Sequence, residues 1–237
     1  MSLINKRNVW KPLEYPWALE TFEFQNKMHW LPDEISLYDD LKQFNSNLSN
    51  YERKVITNIL RFFTQADIEV ARCYIDYYLP TFKCTEIRMM LSSFANMEGI
   101  HVWAYSYLIT SLQLPDLEYT AFMNYSSMSD KYNYMQNFNI EDPFQVALTL
   151  GIVSGFIEGV MLFSSFAVLI SFSTARGTIS SNCLNGVGQI VSFSIRDETL
   201  HCISIMRLFQ EYLKENPGID LVDLEHQIHI HAKNVYD

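Results

Sequence analysis

Two short segments, Glu98-Gly-Ile-His101 and Glu198-Thr-Leu-His201, carry most of the chemistry legible in this chain, each with a carboxylate and an imidazole three residues apart. On an α-helix that spacing puts both side chains on one face, less than a turn apart, so each pair can grip a metal ion. A single such pair means little. Two of them use two of only six histidines, and both lie in apolar helical patterns. If they serve one centre, further carboxylates must lie at the same height.

The elements that would position them are helices. Eight glycines, seven prolines and 49% apolar residues favour long helices over a β-rich chain, so an all-α fold is expected. Ser49-Asn-Tyr-Glu52 has the form of a capping box, and Leu60, Phe63, Asp67, Val70 and Tyr74 then recur at helical spacing, with Asp67 on the apolar face. Glu69, whose helical neighbours are Gln65 and Arg72, is expected in solvent. The next helix should begin near Thr85 and run through Phe94, Glu98, His101 and Tyr105 towards Ser111. Asp67 and Glu98 are 31 residues apart, and their midpoint near residue 82 falls in the proline-containing break Leu79-Pro-Thr-Phe-Lys-Cys-Thr85. Antiparallel helices turning there bring both carboxylates to one height.

The second half repeats this logic. Asp142-Pro143 offers an N-cap followed by proline at the first helical position, and from Pro143 to Ala175 the only charge is Glu158. The run is long enough to cross a membrane, but its central glutamate and the lack of flanking Lys or Arg clusters favour a buried helix. Arg176-Gly177 should end it, with a Ser/Asn/Gly-rich loop to about Gly186. A final strong helix then carries Val191, Ile195, Glu198, His201, Cys202 and Ile205 on one face. Glu158 and Glu198 are 40 residues apart with their midpoint at residue 178, again in the loop.

Elsewhere, residues 1–33, with Pro12, Pro16, Pro32 and three of the four tryptophans, read as an irregular N-terminal arm packed outside the core. Between Leu114 and Glu141 a polar, aromatic stretch with Tyr125, Tyr132 and Tyr134 suits a crossover. Asp223-x-x-His226, beside His229 and His231 in a polar amphipathic terminal segment, is expected on the surface. The 237 residues are read as a single domain. A net charge of -10, without a run of Lys or Arg, argues against nucleic acid or an anionic membrane as partner. Four scattered cysteines and no basic-then-apolar N-terminus suit reduced thiols in a cytoplasmic protein.

Taken singly, each candidate ligand has an ordinary explanation as a paired edge carboxylate or a hydrogen-bonded core histidine. As a set, Asp67, Glu98, His101, Glu158, Glu198 and His201 supply one carboxylate from each of two helices and a Glu-x-x-His from each of two others, the inventory of ferritin-like dimetal carboxylate bundles. Four carboxylates buried together are costly or take up protons, and two divalent cations neutralise all four. Oxygen-rich ligation with two imidazoles suits iron or manganese rather than zinc. Tyr105 lies one turn past His101, roughly 6 Å along the axis, where a core tyrosine and an oxidisable phenol are both possible.

These residues, with Tyr15-Pro-Trp, His29-Trp-Leu-Pro-Asp-Glu34, Arg61-Phe-Phe-Thr-Gln-Ala-Asp67, Phe156-Ile-Glu-Gly159 and the run from Gly188 to His201, resemble the small, radical-generating subunit of class I ribonucleotide reductase over nearly the whole chain. The resemblance implies a ferritin-like bundle whose six ligands hold two metal ions, iron first, with manganese or a manganese–iron pair as alternatives. It implies that Tyr105 stores a radical formed with O2, and that Trp30 and Asp197 link the site to the transfer route. It further implies a homodimer that serves a large catalytic subunit, where ribonucleotides become deoxyribonucleotides, so no nucleotide site is expected here. Against the family pattern, Gly177 to Asn185 looks like an insertion of about six residues. The C-terminal helices and tail are missing, which leaves a fragment, a split subunit completed by a separate polypeptide, or a non-catalytic remnant as readings. A ferritin-like dimetal oxidase or iron-oxidising protein is the alternative from another class.

Overall fold

The computed structural model describes residues 2–121, 133, 140–174 and 182–236. Among them the regular structure is entirely helical: α1 (Pro16–Lys27), α2 (Tyr38–Ser46), α3 (Asn50–Arg72), α4 (Thr85–Ser111), α5 (Pro143–Ser173), α6 (Asn185–Glu215) and α7 (Leu221–Tyr236), with short turns between. The expected capping box starts α3. Ser49 Oγ accepts from Glu52 N at 3.2 Å while Glu52 Oε2 accepts from Ser49 N at 2.8 Å, so two otherwise orphaned amides are satisfied reciprocally. Asp142 caps α5 by accepting from Gln145 N at 2.9 Å, ahead of Pro143.

Helices α3 and α4 form the most extensive helix pair, and α5 packs along α6. One hydrophobic cluster joins them, from Leu3 through Phe63, Phe94, Leu150 and Ile205 to Leu224. The apolar α5 has a mean hydropathy of 2.0 over its most apolar window, and 72% of that window is buried inside the fold, which accounts for the hydrophobicity without a membrane.

Three expectations need correction. The N-terminal arm is not irregular throughout, because Pro16 pre-sets the first turn of α1, which packs on α4 and α6 and buries Trp17, Ala18 and Gln25. Glu69 is buried at 3% exposure, since the Arg72 side chain folds over it and sets Nε 3.2 Å from its Oε2. Helix α5 ends at Ser173, before Arg176-Gly177, which lie outside the described residues, as do Tyr125, Tyr132, Tyr134 and most of the Gly177 to Asn185 segment. Two helical stretches also widen to π geometry, Cys73–Tyr78 at the end of α3 and Val153–Leu162 within α5. Asp223 and His226 lie on the exposed side of α7.

The start of α6 is fixed from outside its own sequence. Leu184, at φ 58°, precedes it in the left-handed region and gives no side-chain cap. Instead the buried Asp40 of α2 accepts from Gly186 N at 3.2 Å and Val187 N at 2.8 Å, placing a carboxylate at the positive end of a 31-residue helix. Gly186 permits that approach: a Cβ there would stand 2.7 Å from Ser36 O. Asp40→Ala should cost about 2 kcal/mol by stranding two buried amides, lowering the melting midpoint by roughly 4–8 °C. Asp40→Asn, which keeps one acceptor, should cost about half as much, and thermal unfolding of the two variants checks the difference.

Candidate metal centre

The four long helices each deliver carboxylates to one buried point. Asp67 from α3, Glu98 and His101 from α4, Glu158 from α5 and Glu198 and His201 from α6 are all at most 1% exposed. Their ligating atoms fall into two groups, Asp67, Glu98 and His101, and Glu98, Glu158, Glu198 and His201, each within 4.8 Å and with Glu98 common to both. The equal-height argument from the two loops thus describes the arrangement found.

Nine oxygen and nitrogen atoms of these six side chains are buried without a hydrogen-bond partner among the described residues: both oxygens of Asp67, Glu98 and Glu198, Oε2 of Glu158, and Nδ1 of both histidines. His201 Nδ1 is 2.8 Å from Glu98 Oε1, and His101 Nδ1 is 3.0 Å from Glu198 Oε1. These contacts are close without having hydrogen-bond directions. Buried polar atoms are rarely left so, and a concentration of them aimed at one point is the arrangement metal ions complete. The donor set, four carboxylates and two imidazoles, fits two divalent cations in charge.

The outward nitrogens are fully occupied. The Trp30 indole can only donate, and does so to Asp197 Oδ2 at 2.7 Å. Gln25 Nε2 donates to Asp197 Oδ1 at 3.2 Å, which turns Gln25 Oε1 towards His201 Nε2, also at 3.2 Å. His101 Nε2 lies 3.3 Å from Asp197 Oδ2. Both imidazoles therefore carry an outward N–H and direct Nδ1 inward, the orientation a metal ligand requires. Trp30 and Asp197 were anticipated in the sequence, but Gln25 was not: nothing in the weak pattern of α1 marks it.

Tyr105 is completely buried, its ring 6.4 Å from that of His101 and 4.8 Å from Phe63, and its hydroxyl donates to Ser194 Oγ at 2.9 Å. Across the centre, Tyr74 donates to Glu158 Oε1 at 2.6 Å. Its place on the Asp67 face was readable from spacing, but this contact was not.

A family-level comparison matches residues 7–237 to "Ribonucleotide reductase, small chain". The chain belongs to the ribonucleotide reductase small-chain family. Among its relatives are probable ribonucleoside-diphosphate reductase small subunits of Invertebrate iridescent virus 6, 39% identical over 91% of this chain, and of Invertebrate iridescent virus 3, 35% identical over 99%. The chain spans 62% and 65% of the lengths of those two proteins. In three dimensions it resembles the ribonucleotide reductase R2 subunit from Clostridium botulinum, with a TM-score of 0.84 at 21% identity, over 99% of this chain and 75% of that one. The ferritin-like small-chain fold and a site suited to two metals are thereby established for this member of the family.

The electrostatics of the metal-free site give a pH signature. Burial, then the neighbouring carboxylates, pushes Asp67, Glu158 and Glu198 above the usual range. Burial opposes charge on His101, yet Asp197, Glu198 and Glu98 drive it well above its ordinary value. Burial also opposes charge on Glu98, but His101 and His201 hold it down to about 2. Groups with raised values stabilise the fold at low pH and lose that contribution as pH rises, whereas Glu98 loses its contribution only as pH falls below its unfolded value. Metal-free protein should therefore melt at progressively lower temperature from pH 5 to pH 8. The gain in melting temperature on adding Mn(II) should grow over the same range, because metal replaces protons; scanning fluorimetry with and without the metal checks both trends.

Proposed function

We propose that this chain is the radical-generating subunit of a class I ribonucleotide reductase, folded as one domain. The observation that carries this reading is the pairing of six inward ligands, grouped around a shared Glu98, with a sealed phenol beside His101. Asp67, Glu98 and His101 would hold one metal ion, and Glu158, Glu198 and His201, with Glu98, the other. Iron suits this ligand set best, with manganese or a mixed pair chemically close. When bound and reduced, such a pair supplies the oxidising power of O2 as one-electron chemistry.

The chain's own residues do the rest. Asp197 and Gln25 hold the two imidazoles in one tautomer and one orientation. Tyr105 stays protonated in its ground state, since burial and then the Asp67 charge push its phenol well above its ordinary value. Its electron and proton must then leave together, and the Ser194 hydroxyl, which accepts from the phenol, fixes the direction of that O–H. Phe63 lies against the Tyr105 ring, with Phe166 packed on Phe63 at a centroid distance of 4.8 Å, and together they exclude water and reductants from a phenoxyl radical. Trp30, Asp197 and His101 form one hydrogen-bonded chain leading from the ligands, the natural route for an electron exchanged with a large catalytic subunit that reduces ribonucleotides.

A homodimer in the cytoplasm completes the reading. The outer faces of α3 and α4 support it, with Ile68 and Ile75 exposed beside Gly99 and Val102 along an open groove. The family match favours the reductase over an iron-oxidising protein or a dimetal oxidase.

Anaerobic loading with Fe(II) or Mn(II) followed by O2 should yield a tyrosyl radical by electron paramagnetic resonance. Tyr105→Phe should abolish that signal while leaving two metals per chain. Absence of any radical under iron, manganese and mixed loading, with metal bound, would overturn the assignment.

A further inference from the structure

Two fully buried phenols flank the centre, one beside each Glu-x-x-His imidazole. The Tyr105 ring is 6.4 Å from His101, and the Tyr74 ring is 6.1 Å from His201. Their hydroxyls serve different partners. Tyr105 donates to a neutral serine, whereas Tyr74 donates at 2.6 Å to a carboxylate of the ligand group, Glu158. A phenol donating to a carboxyl oxygen at that distance forms a short, directional hydrogen bond.

That bond makes Glu158 unlike the other three carboxylates. Asp67, Glu98 and Glu198 each have both oxygens without a hydrogen-bond partner, whereas in Glu158 only Oε2 lacks one. Both ends of the bond stand in π-helical backbone, Tyr74 in Cys73–Tyr78 and Glu158 in Val153–Leu162, a geometry that is rare and found mostly at functional sites. Tyr74 is itself held edge-on by Tyr78 at 5.8 Å and Phe94 at 5.9 Å. A rigid aromatic donor therefore sets the rotation of the Glu158 carboxylate.

We propose that Tyr74 is a positioning residue for one metal only: by holding Oε1, which also lies 4.0 Å from His201 Nδ1, it fixes the Glu158 carboxylate within the Glu98, Glu158, Glu198 and His201 group, and thereby sets the affinity of that position. This rests on the dimetal reading above. The Asp67, Glu98 and His101 position, which Tyr74 does not touch, is independent of it. The competing explanation is that Glu158 merely satisfies a buried phenol, in which case Tyr74 affects stability but not one ion selectively.

Titration of the metal-free chain with Mn(II), followed by electron paramagnetic resonance, separates the two. Wild type and Tyr105→Phe should bind two ions with the spin-coupled spectrum of a pair. Tyr74→Phe should keep the first ion at wild-type affinity and bind the second about 10–100-fold more weakly, giving a six-line mononuclear spectrum over that interval. Glu158→Gln should show the same selective loss, and combining it with Tyr74→Phe should add little, because the two act as one unit. Two ions at wild-type affinities in Tyr74→Phe would overturn the proposal, as would equal weakening of both. A wild type that binds fewer than two ions would instead overturn the dimetal reading.

Discussion

Everything in this fold bears on one electrostatic constraint: four carboxylates buried in two adjoining groups that share Glu98, most of their oxygens without hydrogen bonds. Left alone, such a cluster is strongly destabilising, and the raised carboxylates and charged His101 show how a metal-free chain relieves it by holding protons. Two divalent cations relieve it more completely. The site is thus a case of stability yielded locally for function, offset by the apolar packing of α3 to α6 around it.

The helices impose the geometry and a second layer of contacts refines it. Asp197 joins Trp30, Gln25 and His101 in one buried network, and Gln25 extends it to His201, so the two imidazoles share one orienting unit. A shift in α1 would thereby reach both ligand groups. The capping of α6 by Asp40 plays a comparable part at longer range, because the register of Glu198 and His201 depends on where that helix begins.

Much of this was legible in the chain because helical periodicity couples position to depth. Asp67, Glu98, Glu158 and Glu198 declared themselves as polar residues on apolar faces, and loop midpoints supplied their relative heights without any contact information. What escaped detection had no periodic signature. Gln25 sits on a short helix with few buried residues, so its role arises only from tertiary packing. Glu69 was misplaced because its concealment comes from the bend of the Arg72 side chain, which neighbour types do not encode. The π segments leave composition unchanged, and the bond from Tyr74 to Glu158 joins residues 84 positions apart.

The central claim is that the two ligand groups would each hold a metal ion, with Glu98 common to both. Anomalous diffraction from crystals of the Mn(II)-loaded chain tests it most directly. The account requires two peaks, one bounded by Asp67, Glu98 and His101, the other by Glu98, Glu158, Glu198 and His201. A single peak, or metal bound only at surface groups such as Asp223 and His226, would contradict it.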